Sequence, residues 1–252
     1  MRPAHLLLAG LIALPGLARA DEPAVPAGYA IHASLPLDPA ANGIDGALQI
    51  LEDGRIGPQL RAGMWQQTTD PDLVLAEHDP LRAALAKAPL KSAHLRLVDS
   101  GGRQLADQAL DVPLAEIDRQ QLHEGAPTFL VTADHSLGIG SAGGLETRLM
   151  AVEHGQLAPE PLPGRDGLVS ALRQAWKLVD DPTPGADGKP GTGKAIEVVA
   201  CHPNYANPNW SATGEFTVDL VTYRFADGTW HDAVHSAVGY WESEQDWPDA
   251  FP

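Results

Sequence analysis

Two histidines four residues apart, His231 and His235, are the closest this sequence comes to a metal site. That spacing puts both on one face of a helix or a strand, and neutral imidazole is a common zinc ligand. Asp232, His202 and Cys201 are of the right types to complete a set, and a bound metal with a carboxylate would activate water for hydrolysis. Spacing fixes no third ligand, however. The alternation around Trp230 puts the pair in a hairpin strand, where a solvated face is expected. His231 and His235 therefore remain weak metal candidates, and no cofactor is expected.

Three other stretches carry the letters of chemistry without its context. Gly188-Lys189-Pro190-Gly191-Thr192-Gly193-Lys194 is similar to a phosphate-binding loop, but Ala195 stands where a hydroxyl must hold magnesium, and a strand follows instead of a helix. Gly138-Ile139-Gly140-Ser141-Ala142-Gly143 spells a dinucleotide fingerprint after a strand. Residues 145–152 then alternate like a second strand, so there is no helix N-terminus to hold a pyrophosphate. Ser141 is not on a nucleophile elbow, because Ile139 replaces the first glycine. Asp134, His135 and Ser136 are consecutive, and neighbouring side chains in an extended chain point to opposite faces. No catalytic residue is assigned. A non-enzyme is favoured, with enzymatic activity left open.

The strongest pattern is the distribution of aromatic residues. Of 14 in the chain, ten lie in 205–252: Tyr205, Trp210, Phe216, Tyr223, Phe225, Trp230, Tyr240, Trp241, Trp247 and Phe251. Those in 216–230 follow strand alternation with apolar groups on both faces, which predicts a central strand with core rings. Trp210, Tyr240, Trp241 and Trp247 stand among Pro, Asn and Glu, a setting that suits rings at an interface. These four are the candidate ligand- or partner-binding residues.

The elements that must position these rings are mostly strands. Alternation predicts a strand at 29–35, and another at 47–51 ending in a hairpin-type turn at Glu52-Asp53-Gly54-Arg55. Asp79-Pro80 signals a helix start, ended by Pro89. Residues 93–98 and 104–110 read as a hairpin, 128–133 and 145–152 as strands, and 155–165 as loop. Residues 167–179 predict the main amphipathic helix, with Leu168, Val169, Leu172, Ala175, Trp176 and Val179 on one face and Asp166 as cap. A strand at 196–200 and a hairpin of 216–225 with 229–236 about Asp227-Gly228 complete the chain. The expected fold is α+β and strand-dominated, with antiparallel hairpins and that one helix. A polar, helix-compatible seam at 113–125 separates an N-terminal β-rich half, 28–124, from a C-terminal α+β half, 125–252.

Residues 1–20 read as a cleavable secretory signal: Arg2 and His5, an apolar stretch at 6–14, then Ala18-Arg19-Ala20, with 21–27 as a lead-in. The apolar stretch is too short to span a bilayer, and no later one approaches the length needed. An exported protein, periplasmic or extracellular, without membrane insertion after cleavage is expected. The chain holds 17 basic and 33 acidic residues, a formal charge of −16; loss of Arg2 and Arg19 makes it −18. A field of that sign disfavours nucleic acid and anionic lipid, and attracts a cationic protein. Cys201 is the single cysteine, so no internal disulfide can form, and its apolar context predicts burial.

Residues 129–152 (FLVTADHSLGIGSAGGLETRLMAV) and the ending from Gly239-Tyr240-Trp241-Glu242 to Phe251-Pro252 resemble a group of exported bacterial proteins of unassigned function. The loop from Gly140 to Gly144 is similar to one in periplasmic lysozyme inhibitors. The leading expectation is a non-catalytic exported binding module, an inhibitor or immunity-type protein for a basic envelope partner. The alternatives are a metal-assisted envelope hydrolase using His231, His235 and a carboxylate, and a glycan-binding module that stacks sugars on the 210–247 tryptophans.

Overall fold

The computed structural model describes residues 25–58, 61, 87–135, 144–181 and 193–252. Its strands form three antiparallel sheets. The first runs in order β1 (Tyr29–Pro36), β2 (Gly46–Asp53), β3 (His94–Asp99), β4 (Gln104–Ala109). The second has the order β5 (Ala115–Gln120), β6 (Thr128–Asp134), β7 (Leu145–Glu153), β8 (Gln156–Pro159), and β9 (Leu168–Ser170) pairs β7 beside β8. The third runs β10 (Gln174–Asp180), β11 (Lys194–Pro203), β12 (Phe216–Ala226), β13 (Thr229–Val238). Two single-turn helices, α1 (Pro39–Asn42) and α2 (Trp210–Thr213), sit in connections. No helix of the described residues is long and apolar enough to cross a membrane.

The middle sheet is buried on both faces, and its strand sequences show why. Along β6 and β7, Phe129, Val131, Met150 and Val152 point one way, into a core with Leu48, Ile50, Leu95 and Leu97 of the first sheet. Leu130 and Leu149 point the other way and join Ile196, Val198, Val221, Tyr223 and Trp230 of the third sheet. Unbroken apolar runs such as 129–131 (FLV) and 149–152 (LMAV) can only lie between two layers, because alternate residues must each find cover. The antiparallel strands expected at 29–35, 128–133, 145–152 and 196–200 are all present, as are the 93–110 and 216–236 hairpins. β12 is central, as its two apolar faces predict, and Cys201 is buried.

The amphipathic helix expected at 167–179 does not exist. The segment forms β9 and β10, joined by a tight turn in which Ala171 N–H bonds Gln174 O at 2.8 Å and Gln174 N–H returns to Ala171 O at 3.3 Å. Its residues have good helix propensity, but as a strand the stretch divides its apolar groups between two faces: Trp176 and Leu178 pack against the core shared with the middle sheet, and Ala175 against the one that holds Trp241. Pairing with β7 and β11 completes two ladders at once, and that tertiary gain outweighs a few tenths of a kcal/mol of propensity per residue. Three smaller differences share this cause. Residues 113–125 hold β5, which pairs β6, and 155–165 hold β8. Glu52 and Asp53 end β2 as buried residues rather than forming a turn, and the next strand in the chain to pair with β2, β3, begins only at His94. The helix start at 79–86, the glycine fingerprint at 138–143, most of the 188–194 loop and the signal segment lie outside the described residues.

Candidate functional surface at the C-terminal sheet

The β12–β13 hairpin sets the geometry of this surface. Asp227 and Gly228 take φ values of +52° and +78°, the two left-handed residues of the hairpin turn whose twist matches its strands. Pairing then continues from Ala226↔Thr229 to Thr217↔Val238 with no register shift, and Gly239 N–H donates to Phe216 O at 3.0 Å. In an antiparallel ladder alternate residues turn their backbone groups toward the partner. The phase set by Gly239 and Phe216 gives the inward groups to His231, Ala233, His235 and Ala237. The N–H and C=O groups of Asp232, Val234, Ser236 and Val238 point away from the sheet. No described strand pairs this edge, and Val234 and Val238 are 54% and 70% exposed.

The chain after β13 folds back over one face of the third sheet. Trp241 is buried there with Val199, Cys201 and Leu220, and donates Nε1–H to Asp246 O at 3.2 Å. Trp247 meets it edge to face at 6.1 Å and donates to Glu197 Oε2 at 2.9 Å, with Lys177 4.6 Å above the ring. Phe251 stacks on Trp247. Tyr240 is 45% exposed and packs edge to face on Phe216, and Arg173 lies about 5 Å over both rings. Between this segment and β13 runs a groove of about 320 Å³, apolar on its floor (Val218, Leu220, Ala237) and walled by His235, Tyr240 and Trp241. A second hollow of about 340 Å³ adjoins it across Val238 and Tyr240.

The four aromatic candidates therefore separate. Tyr240 and Trp241 line the groove, while Trp247 anchors the segment that forms its far wall. Trp210 lies on α2, edge to face with Tyr205 at 5.6 Å; Tyr205 stacks on His202 at 5.9 Å and is 69% exposed. His231 and His235 are exposed on β13, and four residues of strand separate them by about 13 Å, too far to share an ion. His231 Nε2 is 3.2 Å from Ala226 O, and no group of three His, Cys, Asp or Glu side chains suited to a metal occurs among the described residues.

A polar cluster that sequence spacing does not reveal sits on the opposite face of the hairpin. Asp219 accepts from Ser236 Oγ at 2.6 Å and lies 3.0 Å from His202 Nε2; His202 Nδ1 lies 2.9 Å from Pro203 O. With acceptors at both ring nitrogens, first the Pro203 carbonyl and then Asp219, the imidazolium is favoured and its pKa is raised. The order is wrong for a nucleophilic triad, because Ser236 gives its proton to the carboxylate and not to the imidazole. The register of β11, β12 and β13 assembles the cluster, and the one sequence signal toward it is the Asp227-Gly228 turn, which fixes the β12–β13 part of that register.

Charge completes the picture. Residues 225–252 contain Asp227, Asp232, Glu242, Glu244, Asp246 and Asp249, and no lysine or arginine. Asp249 sits between two groove residues, Pro248 and Ala250. This arrangement can seat an apolar side chain beside a positive charge. No protein-family model, curated protein or solved structure matches this chain.

Proposed function

We propose that this is an exported, acidic, non-catalytic binding protein that engages a basic protein of the cell envelope as an inhibitor or immunity-type module. The observation that carries the reading is an apolar groove whose walling stretch, 225–252, holds six carboxylates and no lysine or arginine, with Arg173 over Tyr240 the basic group beside it, in a chain of net charge −16. Carboxylates around a low-dielectric groove focus the field there, speed the approach of a cationic surface and select for it, while the groove supplies contact area. Placement outside the cytoplasm rests on the signal-like residues 1–20.

The test is binding of the 21–252 protein to a set of basic, neutral and acidic exported proteins of similar size, at low and at high salt. Only basic proteins should bind, and affinity should fall as the Debye length shrinks from about 10 Å at 0.1 M salt toward about 3 Å at 1 M. Binding that ignores both partner charge and salt would sink the reading. A glycan-binding alternative draws on Tyr205, exposed and stacked on His202 beside Trp210. Tryptophan emission titrated with soluble cell-wall fragments decides it, a flat response removing it.

A further inference from the structure

Edge strands invite pairing with other chains, and folded proteins ordinarily blunt them. Five outer strands here are blunted in recognisable ways. β1 has a register shift between Ile31 and Ala33 and ends in Pro36. β4 is opposite a register shift at Leu97 and Val98. β5 carries Glu116, Asp118 and Arg119; β8 is four residues long and ends in Pro159; β10 carries Lys177 and Asp180. β13 has ten residues, no shift, no proline, no lysine or arginine, and a single carboxylate, Asp232. Its stretch 233–238, AVHSAV, is uncharged and solvent-facing along most of its length.

Resting on the proposed function, we propose that the partner docks by strand addition: an extended cationic segment pairs with the open edge of β13 across 232–238. The outward N–H and C=O groups of Asp232, Val234, Ser236 and Val238 supply main-chain hydrogen bonds, and side-chain alternation supplies specificity. Alternate side chains of the added strand extend the face that holds His235 and Ala237, where the groove accepts aliphatic groups. The intervening side chains extend the face of Asp232, where lysine or arginine meets its carboxylate. A second copy of this chain is the competing occupant for such an edge. The charge decides against it, since pairing two copies brings together two sets of six carboxylates from 225–252 with no lysine or arginine among them.

The experiment titrates the isotopically labelled 21–252 protein with a short synthetic peptide of alternating lysine and valine, reading backbone amide shifts. The expected result is shifts concentrated at 232–238 and the groove. Methylating the peptide nitrogens that face β13 should weaken binding at least tenfold, about 1.4 kcal/mol, at unchanged charge. Val234→Pro, which deletes one outward N–H and no ladder bond, should weaken it similarly, whereas Val234→Thr should not. If Val234→Pro disturbs the fold, the methylated peptide still decides. Equal binding of the two peptides, or shifts confined to the acidic segment, overturns strand addition and leaves the electrostatic reading standing. Loss of salt-sensitive binding to basic proteins as well overturns both. A dimer seen by sedimentation, with β13 shifts on dilution, shows that the edge belongs to a second copy.

Discussion

The first and third sheets handle charge in opposite ways. At the end of β2, Asp53 is 2% exposed, and its carboxylate accepts from Arg55 Nε at 2.9 Å, from Arg55 Nη2 at 2.5 Å and from Lys91 N–H at 3.0 Å. Arg55 in turn donates to the Ala88 and Pro89 carbonyls, both at 2.8 Å. Next to it, buried Glu52 pairs with Arg61 and accepts from Ala115 N–H at 3.0 Å, which ties the first sheet to the second. These carboxylates are consumed by the fold. The carboxylates after β13 mostly face solvent, beside an apolar groove and an unblunted edge. One negative charge is a structural joint and another an accessible field, and burial with donors makes the difference.

That contrast can be broken experimentally, beginning with the largest effect. Trp241→Ala should cost about 3 to 5 kcal/mol in urea denaturation, because it empties a buried site under the returning segment. A loss well under 1 kcal/mol would mean that the segment merely drapes the sheet. Asp53→Asn should cost about 2 to 3 kcal/mol by removing a buried, paired charge. Arg55 holds the Asp53 carboxyl far below the carboxylate range, so its contribution is present above the unfolded value near pH 4. It is lost as pH falls further, and Asp53→Asn should flatten that acid limb in pH-dependent melts.

His123 offers a joint of opposite sign between the second and third sheets. It stacks on Phe225 at 3.8 Å and lies 3.4 Å from Glu160 Oε1, and this carboxylate raises its pKa. Its contribution is full below the unfolded value near 6.5 and fades as pH climbs through the raised folded value. His123→Gln should therefore cost about 1 kcal/mol at mildly acidic pH and less at alkaline pH, read from urea midpoints. The smallest stability effect belongs to the edge: Val238→Lys should change stability by no more than about 0.5 kcal/mol while abolishing binding of the lysine–valine peptide. A large loss of stability there would mean that Val238 is structural, and the contrast between sheets would weaken.

Much of the fold was legible locally. Tyr29, Ile31, Ala33 and Leu35 alternate in sequence and are the half-buried residues of β1. The β12–β13 hairpin follows from Asp227-Gly228 between two alternating runs. The failure at 167–179 is instructive because the apolar residues there suit either one face of a helix or the two faces of a strand, and only pairing with β7 and β11 chooses between them. Of the candidate site, Tyr240 and Trp241 were findable as rings in a polar setting. Burial of Trp241 was not, since nothing near it in sequence indicates that the segment returns over Val199 and Leu220.

The sequence by itself determined strand dominance, the hairpins with short turns, the negative field and the crowding of aromatics near the C-terminus. All of these depend on side-chain period, turn chemistry and composition, which act over a few residues or need no geometry at all. Tertiary structure alone decided that three sheets stack with the middle one doubly buried, that His202, Asp219 and Ser236 converge, and that β13 is an edge paired by no other described strand. Contacts between residues far apart in sequence select these features by the surface they bury together, a quantity that no short window of sequence contains.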